Sequence, residues 1–276
     1  MNEFQKLEVF RKSHFIRNFE LGIASLHSAG KIKVPIYLGV GQESIAATLS
    51  VFFGERSIPI FAQHRAHSYF IAFGGDPLDL KNQIISNPET WNLGSGGSAS
   101  ISDKSIRMFG HSGLMGDQVP IAVGYAMRKG ERVLSVVGDA SVEEDYVHAS
   151  LAFAGSNSIP LLLICEDNDL SILTPKKVRR TWRVKNVARA FDCQAADITD
   201  NPEEIWSRLI DWNQSSCLVL NIRTTRHLWH AGSGRDSENP ADTLSEFRDS
   251  LLSVGLENQV LDIEQKNNKV IEALWN

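Results

Sequence analysis

The chain has 276 residues, and because 42% of them are apolar it can bury a substantial core, as one large α/β domain or two small ones. A formal net charge of −5 excludes a general attraction to nucleic acid or to an anionic membrane, and no apolar run approaches the length that spans a bilayer. The N-terminal segment mixes acids with bases, unlike a signal or transit peptide, so we expect one cytoplasmic domain over residues 1–276, no nucleic-acid or membrane partner, and buried free thiols at Cys165, Cys193 and Cys217.

Helices are predicted where apolar residues recur at helical spacing. The first such pattern fills residues 3–29 and stops at Gly30, which is typical of a helix C-terminus. A turn with two glycines, GVGQE at 39–43, leads into the second helix, and we assign that turn a structural role. The remaining patterns predict helices at 44–53, 117–128, from about 141 onwards, 206–212, 243–254 and 256–274.

Short apolar runs predict buried parallel strands. The runs 133–137 and 161–165 are joined by a predicted helix, as in a right-handed βαβ unit. Two further runs, at 57–61 and 217–222, have the same character. The sequence therefore predicts a three-layer α/β fold with a mainly parallel, doubly wound sheet, and it contains no internal repeat.

Polar residues follow both strands of the βαβ unit, Gly138-Asp139 after the first and Glu166-Asp167-Asn168 after the second. Because ligands collect at the carboxyl ends of parallel strands, we expect Asp139 and Asn168 to converge. Their oxygens, with nearby backbone carbonyls, suit Mg²⁺, and the helix N-terminus near Ser141 suits a phosphate. The pair indicates a diphosphate bridged to the protein by a metal; the alternative is a capping Asp beside an Asn in a turn.

Three loops carry further candidates. Gln63-His64-Arg65-Ala66-His67 follows a predicted strand, and the planar guanidinium of Arg65 fits phosphate oxygens. Residues 87–102, rich in Gly, Ser and Asn, are expected to form a wall of the site, and no GxGxxG fingerprint indicates a nicotinamide dinucleotide. Residues 171–186 are basic, and we expect either a solvated loop or a contact with cofactor, acidic substrate or partner.

Taken together, six segments resemble the alpha subunit of the thiamine-diphosphate-dependent decarboxylating component of 2-oxoacid dehydrogenases of the pyruvate, branched-chain and acetoin types. The resemblance covers about 36–230. Its segments stand in the family's order: YLGVGQE at 37–43, QHRAHSYFIAFGG at 63–75, GSGGSAS at 94–100, GHSGLMGDQVPIAVGYA at 110–126, the stretch 138–168, and RHLWH at 226–230.

The resemblance implies a role for each candidate residue. Magnesium would be held by the side chains of Asp139 and Asn168 and by the carbonyl of Leu170. The Met115 side chain would support the bend between the two rings of the cofactor. The implied cofactor-binding set is His64, Arg65, Gly113, Met115, Gly138, Asp139, Ala140, Ser141, Asn168 and His230. The implied catalytic residues are His230 and His67, with His227 as the alternative to His230.

The chain departs from the family pattern at several of these positions. His64 replaces a Tyr, Ala140 and Asp145 each replace a Gly, and Ala231 replaces a Ser, so regulation by phosphorylation at that serine cannot be carried over. We expect Ala140 to have a negative φ, so that its backbone still approaches phosphate. Glu144 matches a common family position, and the acids at 143–145 should point away from a diphosphate, which they would repel.

The function implied by the resemblance is oxidative decarboxylation of a 2-oxo acid, with transfer of the acyl fragment to an acceptor such as a lipoyl group. The activating Glu comes from a separate beta subunit in this family, so we expect an α₂β₂ heterotetramer and an inactive chain alone. A lipoyl acyltransferase is a possible further partner. Two alternatives stay open: the cofactor half of a split transketolase-like enzyme, and a non-catalytic relative that binds a partner without cofactor, which Ala140 and Asp145 favour.

Overall fold

The computed structural model describes residues 1–32, 34–85, 97–110, 112–232, 238 and 240–275. Most of the glycine-rich wall predicted at 87–102 therefore lies outside the described residues.

Six parallel strands form one sheet in the order β2-β1-β3-β4-β8-β7. The two central strands, β3 and β4, come from the predicted βαβ unit, and their register pairs Gly138 with Glu166. A separate two-stranded hairpin follows β4. The strands are β1 (Ile60–Ala62), β2 (Met108–Phe109), β3 (Val133–Gly138), β4 (Leu161–Asp167), β5 (Leu170–Ser171), β6 (Thr174–Pro175), β7 (Gln194–Thr199) and β8 (Leu218–Arg223).

Helices cover both faces of the sheet. Their boundaries follow familiar signals: the Asn201 side chain caps the ninth helix and Pro202 occupies its first position. The helices are α1 (Glu3–Ser28), α2 (Glu43–Phe53), α3 (His67–Ala72), α4 (Pro77–Ile84), α5 (Gln118–Lys129), α6 (Asp145–Ser156), α7 (Lys176–Arg179), α8 (Val184–Ala190), α9 (Pro202–Asp211), α10 (Thr243–Ser253) and α11 (Glu257–Trp275).

The core has the two faces that a three-layer fold requires. Alternate residues of β4 point to opposite sides, so Leu162 and Ile164 pack with α1, α2 and α9, while Leu161 and Leu163 pack with α5, α6 and α8. A third apolar cluster joins α10 and α11 to α1. The predicted fold class is confirmed.

Several elements differ from the prediction. The helix expected from Ser141 begins as a 3₁₀ turn, Ser141–Glu143, and only then continues as α6. The first strand starts later than predicted because Pro59 has no N–H to donate to the ladder. The sequence patterns missed β7, which lies at the sheet edge and pairs only with β8, as well as β2, α3, α4, α8 and the β5–β6 hairpin.

All three cysteines are buried and free, as expected. The Cys193 thiol donates a hydrogen bond to the backbone carbonyl of Leu151, with Sγ 3.5 Å from the oxygen. Among the described helices, none combines the length and the apolar character needed to cross a membrane.

Candidate active site

A cavity of about 270 Å³ opens at the carboxyl ends of β1, β3 and β4. Of the predicted site residues, only His67 is missing from its lining. The predicted residues that line it are His64, Arg65, Gly113, Met115, Gly138, Asp139, Ala140, Ser141, Asn168, Leu170 and His230. The strand-end rule thus brings together residues from five separate parts of the chain.

Asp139 lies where β3 ends and is 2% exposed. Burial raises the pKa of its carboxyl above the ordinary value, and the nearby Arg179 opposes that rise. Oδ2 of Asp139 accepts a hydrogen bond from Arg179, and its backbone carbonyl accepts one from Nη1 of Arg180 at 2.8 Å. Ala140, the next residue, has a φ of −82°, so the expected negative φ is confirmed and an alanine fits there without strain.

The basic segment that begins at Lys176 folds onto the acids at the strand ends. Lys176 pairs with Asp167 at 2.6 Å, and Arg179 pairs with Glu143 at 2.6 Å as well as with Asp139. Lys176 and Arg179 are therefore engaged in ion pairs within the chain and are not free in solvent. Glu143 is paired with Arg179, its two acidic neighbours in the chain are exposed, and none of the three lines the cavity.

Asn168 is held by hydrogen bonds on both sides of its amide. Its Nδ2 donates to Oε1 of Gln42 at 3.2 Å, and its Oδ1 accepts from the backbone N–H of Leu170, also at 3.2 Å. An amide oxygen has two lone pairs, so Oδ1 retains one for a further partner. Asp139, Asn168 and Leu170 therefore offer a carboxylate, an amide oxygen and a backbone carbonyl on one cavity.

Arg65 and His230 form a pair on the opposite side of the cavity. Nη1 of Arg65 donates to the carbonyl of Leu38, and Nη2 donates to Nδ1 of His230 at 2.8 Å. Burial, with a contribution from Arg226, lowers the pKa of Arg65 to about 10, so its guanidinium stays charged at neutral pH. Burial and the two arginines lower the pKa of His230 to about 4. A histidine that titrates near neutrality is therefore not what the structure provides; His230 is neutral there.

His64 lies in a cluster of rings beside this pair. Its centroid is 4.6 Å from that of Tyr37 and 5.5 Å from that of His230. The alternative histidine, His227, is outside the cavity lining, where its Nε2 contacts the carbonyl of Ala241 at 3.0 Å. Between the two histidines weighed from the sequence, His230 is the one that faces the cavity.

His67 lies behind the cavity wall instead of in it. It is fully buried, with Nδ1 3.2 Å from the Glu20 carboxylate and Nε2 2.8 Å from Oγ of Ser98. The Ser98 hydroxyl in turn accepts from the backbone N–H of Tyr37 at 2.9 Å, and Tyr37 lines the cavity. His67 is thus connected to the cavity through Ser98 and Tyr37 and does not itself line it. Its predicted catalytic role would require direct contact with a substrate or cofactor in the cavity.

The sequence patterns missed several lining residues, of which Glu166 is the most unusual. It is 7% exposed at the end of β4, and its carboxylate accepts from the hydroxyl of Tyr69 at 2.7 Å and from Nε2 of Gln42 at 3.2 Å. Burial raises the pKa of Glu166 to about 7. Its place in the polar triplet that follows the predicted strand 161–165 was the available signal. The other lining residues not singled out from the sequence are Tyr37, Gln63, Ser171 and Ile172, whereas Ala99 belongs to the wall predicted at 87–102.

The donors on this cavity fit a magnesium-bound diphosphate. Mg²⁺ prefers oxygen ligands and takes several of them from phosphate and water, so three protein oxygens are a sufficient share. Arg179 bonds one oxygen of Asp139, but a carboxylate can accept several bonds and can be shared with a metal. Within the described ranges, no three His, Cys, Asp or Glu side chains gather as a metal site.

Comparisons with known proteins agree with this geometry. Residues 11–199 match the family model described as "Dehydrogenase E1 component". The pyruvate dehydrogenase E1 component subunit alpha of Zymomonas mobilis subsp. mobilis is 23% identical over 273 residues, covering 91% of this chain and 77% of that protein. The corresponding Rickettsia typhi protein is 20% identical, covering 97% of this chain and 86% of its own length.

Solved structures share the fold. A transketolase from Campylobacter jejuni superposes with a TM-score of 0.65 at 17% identity, covering 100% of this chain and 48% of its own. A Leishmania mexicana transketolase gives a TM-score of 0.63 at 12% identity, covering 97% of this chain and 48% of its own. The chain therefore spans about half the length of these transketolases.

Proposed function

This chain belongs to the dehydrogenase E1 component family, and from that premise we propose that it is the alpha subunit of a thiamine-diphosphate-dependent 2-oxoacid dehydrogenase. The observation that carries the proposal is the convergence of Asp139, Asn168, Leu170 and Arg65 on one cavity. Three oxygen donors and one guanidinium are what a metal-bound diphosphate requires.

Each group on the cavity has a place in this proposal. The side chains of Asp139 and Asn168 and the carbonyl of Leu170 would hold Mg²⁺, while Arg65 and His64 would hold the diphosphate. The backbone at Gly138, Ala140 and Ser141 would approach the phosphates. Gly113 and Met115 would hold the aminopyrimidine end. When bound, thiamine diphosphate supplies the nucleophilic carbon and the electron sink for decarboxylation of a 2-oxo acid.

His230 is proposed to serve as a neutral hydrogen-bond donor. Because its Nδ1 accepts from Arg65, the neutral ring carries its proton on Nε2. That N–H can donate to an oxygen on which negative charge develops, and the low pKa keeps the ring in this state at neutral pH. We assign His67 a positioning role, since it holds Ser98 and through it the backbone of Tyr37.

The proposal includes partners. A separate beta subunit would supply the Glu that activates the cofactor, in an α₂β₂ heterotetramer, and the acyl fragment would pass to an acceptor such as the lipoyl group of an acyltransferase. The relatives named as pyruvate dehydrogenase E1 alpha subunits support this arrangement.

A second candidate function is that of a non-catalytic relative. The observation in its favour is Arg179, whose positive charge lies on the carboxylate that the metal would need.

Reconstitution tests the proposal. The purified chain, thiamine diphosphate and Mg²⁺ are combined with and without a beta subunit of the same family, and carbon dioxide release from pyruvate and branched-chain 2-oxo acids is measured. We expect release only when both subunits are present. Binding of a beta subunit with no binding of thiamine diphosphate in any combination would favour the non-catalytic relative, and ketol transfer between sugar phosphates would favour a transketolase-like enzyme.

A further inference from the structure

Gln42 contacts a proposed metal ligand from a distant part of the chain. Its Oε1 accepts from Nδ2 of Asn168, and its Nε2 donates to Oε2 of Glu166, both at 3.2 Å. The other oxygen of Glu166 accepts from the hydroxyl of Tyr69 at 2.7 Å. We propose that Gln42, oriented by Glu166, is a positioning residue that turns the side-chain oxygen of Asn168 towards Mg²⁺. This inference rests on the proposed function and adds two residues to it.

The direction of each amide follows from the hydrogen bonds of Glu166. Its carboxyl oxygens accept from both partners, the hydroxyl of Tyr69 and the NH₂ group of Gln42. Gln42 therefore presents its NH₂ group to Glu166 and its oxygen to Asn168. Asn168 must then present its own NH₂ group to Gln42, which leaves its oxygen for the metal. The reverse orientation would direct an amide NH₂ group at a cation and weaken binding.

The backbone around Gln42 is built to hold this side chain in place. The Gln42 N–H donates to the carbonyl of Gly39 at 2.9 Å, which closes a tight turn. Gly41, inside the turn, has a φ of +98°, and a Cβ there would lie 2.2 Å from the carbonyl oxygen of Thr225. A glycine is therefore required at 41 on two counts, backbone conformation and space. The turn places the Gln42 side chain, which is only 2% exposed, at the end of β4.

The Gln42 side chain does not cap the helix that follows it. Gln42 is the N-cap residue of α2, where a side chain usually bonds a backbone N–H of the first turn. Within the described residues its side chain makes no such bond, and the carboxylate of Glu43 instead accepts from the N–H of Gly41 at 2.9 Å. The Gln42 amide is hydrogen-bonded to Glu166 and Asn168 instead. The structural role assigned to the GVGQE turn is thus extended to the site.

Two substitutions separate this role from general damage. Gln42→Leu removes the acceptor for Asn168, and Glu166→Gln removes the group that fixes the Gln42 amide. The matched control is Gln83→Leu in α4: Gln83 is 0% exposed, and among the described residues its amide atoms have no hydrogen-bond partner. Each variant is made in the full chain, combined with its beta subunit, and checked by thermal unfolding.

Two measurements are made on each variant. Titration calorimetry with thiamine diphosphate at a series of Mg²⁺ concentrations gives the metal dependence of binding. We expect Gln42→Leu to raise the Mg²⁺ concentration required by about tenfold or more, as loss of a residue that orients a metal ligand does, with the cofactor affinity recovering at saturating Mg²⁺. Glu166→Gln should shift the requirement in the same direction, and Gln83→Leu should leave it unchanged. In the metal-free chain, NMR should show slow exchange of the Asn168 side-chain amide protons, which Gln42→Leu accelerates.

The opposite results would each contradict a specific part of the proposal. An unchanged Mg²⁺ requirement in Gln42→Leu, or a defect that persists at saturating Mg²⁺, contradicts the positioning role while the proposed function stands. Fast exchange of the Asn168 amide in the native chain contradicts the hydrogen-bond chain itself. A native protein that binds no thiamine diphosphate at any Mg²⁺ concentration refutes the proposed function, and the orienting role falls with it even where slow amide exchange shows that the hydrogen bonds exist.

Discussion

Replacing Glu166 with glutamine is expected to stabilise the metal-free protein at neutral and alkaline pH. The Glu166 carboxyl is buried at the end of β4, where it accepts hydrogen bonds from Tyr69 and Gln42. Burial raises its pKa from 4.5 to about 7 in spite of these donors and of the positive charge of Arg65. A glutamine of the same shape has no charge to desolvate, and its oxygen can still accept from Tyr69.

The sign and size follow from proton linkage. A carboxyl whose pKa is raised by folding binds its proton more tightly in the native state, so its contribution to stability is complete below pH 4.5 and is lost as pH rises to about 7. The shift from 4.5 to about 7, at about 1.36 kcal/mol per pKa unit, corresponds to about 3 kcal/mol. The free energy of unfolding of the variant should therefore rise relative to that of the native protein between pH 4.5 and about 7, by up to about 3 kcal/mol.

Urea unfolding at a series of pH values measures this gain directly, since the free energy of unfolding of each protein is obtained at each pH. Glu144→Gln, at the exposed start of α6, is the control for loss of one carboxyl. Parallel curves for the native and Glu166→Gln proteins across the range would refute the reasoning. The same variant is expected to bind Mg²⁺ less well, so stability and metal affinity should change in opposite directions.

Three further predictions concern the surroundings of the cavity. Arg179→Gln should tighten Mg²⁺ binding, measured by calorimetry, because it removes the cation that competes for Asp139. Gly41→Ala should lower the free energy of unfolding by more than about 1 kcal/mol, since positive φ alone costs that much and the contact with Thr225 adds to it. His67→Gln, which retains hydrogen-bonding capacity towards both neighbours, should keep most of the turnover of the reconstituted enzyme.

A different result would contradict each of these three predictions. Unchanged or weaker Mg²⁺ binding in Arg179→Gln would show that the arginine supports the site instead of competing for it. A Gly41→Ala protein as stable as the native one would mean that the turn can relax. Loss of nearly all turnover in a folded His67→Gln protein would indicate a direct catalytic role that its position behind the wall argues against.

The centre of the fold could be predicted because its signals are local. The apolar runs of β3 and β4 identify strands buried on both faces, and the rule that ligands collect at strand ends then brings Asp139 and Asn168 to one cavity. The edge strand β7 was not predicted, because its sequence, QAADIT, lacks a continuous apolar run, as suits a strand that pairs with β8 at the sheet edge.

The parts of the site that escaped prediction depend on contacts between distant segments. Gln42 reads as part of a turn, and only the packed structure brings it against Asn168 and Glu166. The basic segment reads as solvated, and its ion pairs with the strand-end acids become visible only when α7 is placed. Likewise, the sequence indicates a titratable His230, but the low pKa arises from burial beside Arg65.

Calorimetric titration of thiamine diphosphate into the chain combined with its beta subunit, with Mg²⁺ and with a chelator, shows whether the cofactor binds through a metal. We predict saturable binding that requires Mg²⁺ and is lost or greatly weakened in Asp139→Asn and Asn168→Leu, both of which should remain folded. Equal binding in the chelator, or binding that survives both substitutions, would contradict a metal-bridged diphosphate at the ends of β3 and β4.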